Sequence, residues 1–311
     1  MKHISTIKNK NTNISWCIVD KPTKKQIGWI GENFDFDKKD LQDCLPPNQR
    51  PKVTVKKNYL FMILMFPYYD KKTQEIKSSE VDFFIAKNKI VLVHNNHLEP
   101  ILNLQNQCVK NEQTKAKFLS DSSKLLYEIL NQLLHYCFPI LNHINQDLDN
   151  IEDKILNVQK NKADIILEIM RIKKNIVNFR KIMQAHRSII KKLIKNSGII
   201  YSSTHLNIYL EHLINHTKDI WEFLENYKET INALHEAHES LLSHRLNEII
   251  KTLTIFSVIV FPLTLMAAIF GMNTMNSMPF INSVYDFWFV VAIMFVGAFG
   301  MLIYFKKKKW M

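Results

Sequence analysis

The fold class this sequence predicts is an α+β domain with long stalk helices continuing into a two-helix transmembrane domain. Three observations carry it. Short apolar runs crowd the first third, the middle has long helical periodicity without Gly or Pro, and two uncharged apolar segments lie near the C-terminus. With 311 residues there is room for one large domain or two ordinary ones. A hydrophobic share of 47% is ordinary for a soluble protein, so a membrane part must be local.

In chain order, "NISWCIVD", "YLFMILMFPYY", "VDFFIAKN" and "KIVLVHNN" are rich in aromatic and β-branched residues and end at Pro, Asn or Lys. They read as strands, although runs this short also fit buried helices. "KKDLQDCL" reads as a short helix before Pro46 and Pro47. Residues 1–115 are therefore expected to form the α/β domain.

Residues 116–250 are expected to be long helices, the second being the stalk. Between Pro139 and Gly198 neither Pro nor Gly occurs, and Ile140, Ile144, Leu148, Ile151, Ile155 and Val158 recur at helical spacing. One long amphipathic helix is expected there, with Gly198 as its C-cap and "SSTH" capping the next. From Ile199 to Phe261 there is again no Gly or Pro. At 1.5 Å per residue this would make a helix on the order of 90 Å long. Its polar part passes without a break into "TLTIFSVIVFPLTLMAAIFG".

Two spans are expected, over 251–271 and 286–305, each near the roughly 20 residues a bilayer requires. The alternative is a pair of buried core helices. Lys251 precedes the first and Lys306 to Lys309 follow the second. The positive-inside rule then places both termini in the cytoplasm, the loop 272–285 outside, and 306–311 as a basic cytoplasmic tail of a plasma (inner) membrane protein. The net charge of +12 comes mostly from scattered lysines rather than a basic stripe with interleaved aromatics, so no nucleic-acid partner is expected. Cys17, Cys44, Cys108 and Cys137 form no C-x-x-C pair and read as reduced thiols. No apolar core of signal-peptide length opens the sequence, so no cleaved export signal is expected.

"FPLTLMAAIFGMN", followed closely by "MP", resembles the CorA family of divalent-cation channels, whose hallmark is Gly-Met-Asn after the first of two C-terminal spans. "LPPNQRPKVTVKKNYLFMILMF" and "VDFFIAKNKIVLVH" are similar to that family's cytoplasmic domain, and the resemblance covers residues 25–311. It implies a funnel-shaped homopentamer whose first span lines the pore. It also implies Mg²⁺ carried inward, with Co²⁺, Ni²⁺ or Zn²⁺ in some members, and no cofactor besides an ion that is cargo and regulator.

Mg²⁺ gives up its water reluctantly, so a pore can avoid that cost by touching the hydrated ion. An amide oxygen accepts a hydrogen bond from a bound water without the tight binding of a carboxylate, and release stays possible. Asn273 is thus the expected filter, with Gly271 permitting a tight turn and Met272 packing it. The alternative for a lone Asn at a helix end is a cap. Thr264, nine residues earlier, is expected to present a second polar ring on roughly the same helix face, and Pro262 to free a carbonyl and kink the helix. The family pattern carries Thr264 over as pore-lining. It places Phe261 and Leu253 at apolar pore rings, where lipid contact or interhelix packing is the alternative. Asn247 and Glu236 fall at its inner polar and acidic rings, the alternative being a solvated stalk face.

Two departures from the pattern stand out. Phe280 replaces the Glu that follows "MP" in many members, leaving no acid in the outer loop before Asp286. His212 stands where some members place an acidic regulatory ligand, with His216 one turn on and Glu211 and Asp219 beside them. Two His at i, i+4 suit a transition metal, though two surface histidines on a polar helix read the same way. A Zn²⁺, Co²⁺ or Ni²⁺ transporter of this architecture is the alternative function, and a two-span sensor or anchor protein is the alternative of another class. No nucleophile–base set or phosphate-binding loop is legible, so an enzyme is not expected.

Overall fold

Side chains alternate across each strand, and here both faces of the sheet are apolar, so helices must cover both. The computed structural model describes residues 3–9, 11–156, 162–199, 205–272, 285–308 and 310. One sheet contains β1 (Ile4–Asn9), β2 (Ile14–Asp20), β3 (Lys52–Val55), β4 (Tyr59–Asp70), β5 (Glu75–Ala86) and β6 (Lys89–His94), in the order β1-β2-β6-β5-β4-β3. Among the described strands β2 and β6 pair in parallel, and the other neighbours are antiparallel.

Along β4, Tyr59, Phe61 and Ile63 join the core under α1 (Lys24–Asn33) and α2 (Lys38–Asp43), together with Phe84, Val91 and Val93. Leu60, Met62, Leu64 and Phe66 face the larger core, with Trp16, Phe83 and Leu92. That core is closed by α3 (Glu99–Lys110), α5 (Ser122–His135), α6 (Cys137–Leu156), α7 (Lys162–Met183), α8 (His186–Asn196) and the first part of α9 (His205–Phe270). A small α4 (Glu112–Phe118) leads into α5. Phe61 has no exposed surface, so Phe61→Ala should cost about 3–5 kcal/mol. Helix starts are set by side chains: Thr23 and Gln26 form a capping box, and Asp37, Asn111 and Asp121 accept from the first free amides of α2, α4 and α5.

The single helix expected between Pro139 and Gly198 is three helices. Tyr69 and Ile76 are cross-strand partners. Tyr69 meets the His143 ring edge-on, and the amide of Ile76 donates to Asn175 Oδ1 at 2.9 Å. Lys154 Nζ also reaches Glu168 at 2.5 Å, so α6 and α7 run antiparallel. A straight helix would leave its apolar stripe uncovered; the hairpin lays Ile144, Ile151, Ile172 and Ile176 into one core. A turn at Gln184–Ala185 then starts α8, placing the fully buried His186 ring edge-on to Phe66. Val158 and the "SST" before His205 lie outside the described residues.

The chain divides into two compact units, Met1–Leu234 and His235–Met311. The helices expected as a separate region from residue 116 pack, as far as Leu234, with the sheet. The second unit holds the rest of α9 and α10 (Asp286–Lys307).

Candidate functional site

In the second unit, α9 is helical through Pro262 to Phe270. Its apolar window has a mean hydropathy of 2.4 and is 6% buried; that of α10 reaches 2.3 and is 0% buried. A core helix hides such a surface within its own chain, and these two do not, which sets aside the reading as buried core helices. Tyr285, Phe287 and Trp288 stand exposed at one end of α10. At the other end Tyr304 is exposed, and Trp310 stacks on Phe305 beside Lys306, Lys307 and Lys308. Aromatic rings at both ends of an apolar helix, with lysines beyond one of them, match the two interfaces of a bilayer.

The expected pore residues all lie on α9. Glu236, Asn247, Leu253, Phe261 and Thr264 are exposed in the single chain, Leu253 at 63% and Phe261 at 71%. At about 100° per residue their positions fall within an arc of about 120° on the helix. Thr264 Oγ1 donates to the carbonyl of Val260 at 2.9 Å. The hydroxyl proton is thereby used inside the helix, and the oxygen keeps lone pairs that can accept from a water. Pro262 has no amide hydrogen, so the carbonyl of Val258 lacks its usual partner.

Asn273 lies outside the described residues, as do Phe280 and the rest of 273–284. The helix ends at Phe270, and nine residues at about 100° each leave two positions half a turn out of phase. The expectation that Thr264 and Asn273 share a helix face therefore does not stand. Gly271 is needed for a different reason than the one expected. Its φ is not in the left-handed region; instead, a β-carbon there would sit 3.0 Å from the carbonyl oxygen of Ala267. The Gly271 amide closes the last turn on that same oxygen at 2.9 Å, and Met272, 59% exposed, donates to Ile269.

In the first unit, His212 and His216 on α9 have ring centroids 4.3 Å apart. His135, from the end of α5, meets His216 edge-on at 4.8 Å, and Phe138 also contacts it edge-on. Tyr127 Oη lies 3.3 Å from His212 Nδ1. Burial holds the His216 imidazole below its usual range, and the neighbouring His212 and His135 push it the same way, against Asp219. Nothing local in the sequence marks His135 as a partner, because it is distant in sequence and on another helix. The rings meet tilted and edge-on, and among the described residues no three His, Cys, Asp or Glu side chains are placed to hold a metal ion. The cluster as it stands does not fit a resident metal.

Comparison with known proteins gives a consistent result. The profile of the family described as CorA-like Mg²⁺ transporter protein matches residues 11–307. The cobalt/magnesium transport protein CorA of Thermotoga maritima is 29% identical over 282 residues, 91% of this chain and 79% of that protein. The complete structure of the CorA magnesium transporter from Methanocaldococcus jannaschii superposes with a TM-score of 0.84 at 21% identity, covering 98% of this chain and 94% of the other. The cytoplasmic domain of ZntB from Vibrio parahaemolyticus superposes with a TM-score of 0.63 at 12% identity, covering 78% and 100%.

Proposed function

The chain belongs to the CorA-like Mg²⁺ transporter family, and from that premise we propose that it conducts hydrated Mg²⁺ across a membrane down its electrochemical gradient. A ring of copies of this chain, five in the family's pattern, forms the path. The observation that carries the reading is α9, a single helix whose first part packs with the sheet and whose last part is apolar, 6% buried and closed by a glycine where a β-carbon would be a tight fit. A helix of that surface requires lipid on one side and allows neighbouring copies on the other.

Thr264, Phe261 and Leu253 would line the membrane part of the path, and Asn247 and Glu236 its inner mouth. Gly271, Met272 and Asn273 would form the filter at the outer lip. Both termini lie in the cytoplasm of this reading, supported by Lys251 and by Lys306 to Lys308 at the outer ends of the two spans. A divalent ion moving to a negative interior gains about 4.6 kcal/mol per 100 mV, so no further energy source is required.

The test is metal-resolved flux into liposomes holding the purified protein at controlled voltage. Wild type should pass Mg²⁺ and Asn273→Ala should not; equal flux refutes the filter. A second reading, transport of a transition metal, draws on the cobalt in the name of the Thermotoga relative and on the ZntB fold match. Competition between Mg²⁺ and Co²⁺, Ni²⁺ or Zn²⁺ in the same assay separates the two. For regulation, the contact of His212 with His216 supports a cytoplasmic divalent site, and the lack of a third donor placed beside them among the described residues opposes it. Melting temperature with and without Zn²⁺, for wild type and His212→Ala, distinguishes these: no differential shift removes the site.

A further inference from the structure

Residue 82 places a carboxylic acid in the middle of an apolar face. On β5, Glu80 and Asp82 point to the same side of the sheet, two residues apart. Asp82 is 2% exposed, and its cross-strand neighbours are Ile63 on β4 and Val93 on β6, both buried. Its Oδ1 is buried and has no hydrogen-bond partner among the described residues. Glu80, on the same face of β5, and Cys44 are its polar neighbours, and the Cys44 thiol donates to the carbonyl of Asp40. Glu80 Oε2 accepts from the backbone amide of Gln49 at 2.5 Å, so the acid pair holds the segment that joins α2 to β3.

Among the described residues the nearby ammonium groups pair with other carboxylates, and Lys52 also acts on Glu80 at longer range, lowering it. Lys52 on β3 reaches Asp43 on α2 at 2.5 Å. Asp40 on α2 takes the Tyr59 hydroxyl and the Lys56 ammonium. Asp43 adds repulsion on both acids, and β4 offers Ile63 opposite Asp82 and Met65 opposite Glu80, neither of them charged. The cavity lined by Cys44, Glu80, Asp82, Val93 and His94 measures about 10 Å³. That is at most the room of one water, so no hydrated cation enters. Burial, then the neighbouring carboxylate, pushes Asp82 well above the usual carboxylate range, and burial raises Glu80 too. Two carboxylates this close do not both ionise.

We infer that Glu80 and Asp82 share one proton, and that this carboxyl–carboxylate pair is a pH-sensitive clasp on the segment 44–49. With the proton in place, Asp82 donates to Glu80, Glu80 accepts from Gln49, and the segment is held on the sheet. As the pH rises and the proton leaves, two like charges face each other in an apolar layer and the segment is released. The substitution Asp82→Asn supplies a donor at every pH.

The experiment is hydrogen exchange of the full-length protein in detergent from pH 6 to 9.5, corrected for intrinsic rates, on wild type and Asp82→Asn. Wild type should lose protection over 44–51 at the alkaline end, by up to about tenfold per pH unit. Asp82→Asn should keep it. Equal pH dependence of the two proteins over that segment overturns the clasp. Should Asp82→Asn fail to fold, the infrared spectrum of wild type and Glu80→Gln decides. A protonated-carboxyl C=O band at pH 7 in wild type that shifts in Glu80→Gln, as its acceptor changes from carboxylate to amide, supports the shared proton; its absence from wild type, or an unshifted band in Glu80→Gln, refutes it.

Discussion

Thr264 Oγ1 donates to the carbonyl oxygen of Val260 at 2.9 Å, two residues on either side of Pro262. The bond fixes which part of the hydroxyl is available. Its hydrogen is spent within the helix, and its oxygen presents lone pairs, the polarity that suits the outward hydrogens of a hydrated cation. Thr264→Val keeps the shape and removes the oxygen. We expect Mg²⁺ flux to fall roughly fivefold, the value of about 1 kcal/mol for one hydrogen bond, while Thr264→Ser stays near wild type. Unchanged flux in Thr264→Val would remove Thr264 from the path.

Gly271 gives a second, steric prediction. An alanine β-carbon would stand 3.0 Å from the Ala267 carbonyl that closes the last turn of α9. The helix end must yield by a few tenths of an ångström, and whatever follows it shifts. Since the site is exposed, folding should lose under about 1 kcal/mol by thermal melting. Flux should fall much more than stability. A Gly271→Ala protein with normal conduction would show that the lip tolerates displacement.

The parts legible in sequence were those where one physical signal dominated. β4 is buried on both faces and so reads as a continuous apolar run; α10 is apolar all round and uncharged. β1 and β3 escaped because edge strands can be short and half polar, as "ISTIKN" and "KVTV" are. The break at Gln184–Ala185 has neither Gly nor Pro to announce it; the need to cover a sheet set it. Asp82 sits inside "VDFFIA", where a single acid looks like a solvent-facing residue until the register puts it between Ile63 and Val93. His135 could be joined to His216 only by tertiary packing.

Phe261 separates two surroundings that the single chain leaves equal. At 71% exposed, its ring faces either lipid or the axis of a ring of copies. An apolar constriction at the axis resists wetting and slows ions. Phe261→Ala should then raise the resting Mg²⁺ leak into liposomes several-fold while leaving ion preference unchanged. A variant with the wild-type leak would place the ring against lipid or a neighbouring helix.

Acid should weaken the first unit through its buried histidines. His186 has no exposed surface, and among the described residues neither ring nitrogen has a hydrogen-bond partner. Burial holds it down to about 4, and burial does the same to His94. A histidine depressed in the folded state binds its proton more readily once unfolded, so its contribution is complete above about pH 6.5 and is lost as the pH falls toward 4. The difference of about 2.5 pH units corresponds to about 3 kcal/mol for each ring. Asp70 acts in a separate, lower window. Its hydrogen bond with Lys77 holds it at about 2, so its contribution is lost only below the ordinary carboxylate range. His186→Phe keeps an edge-on contact with Phe66 and cannot charge. Thermal melting of the full chain between pH 6.5 and 4.5 should show a slope about half as steep in His186→Phe, with His94 accounting for the remainder. An unaltered slope would mean that His186 is already open to water or protonated at neutral pH, and the edge-on packing of α8 on β4 would need revision.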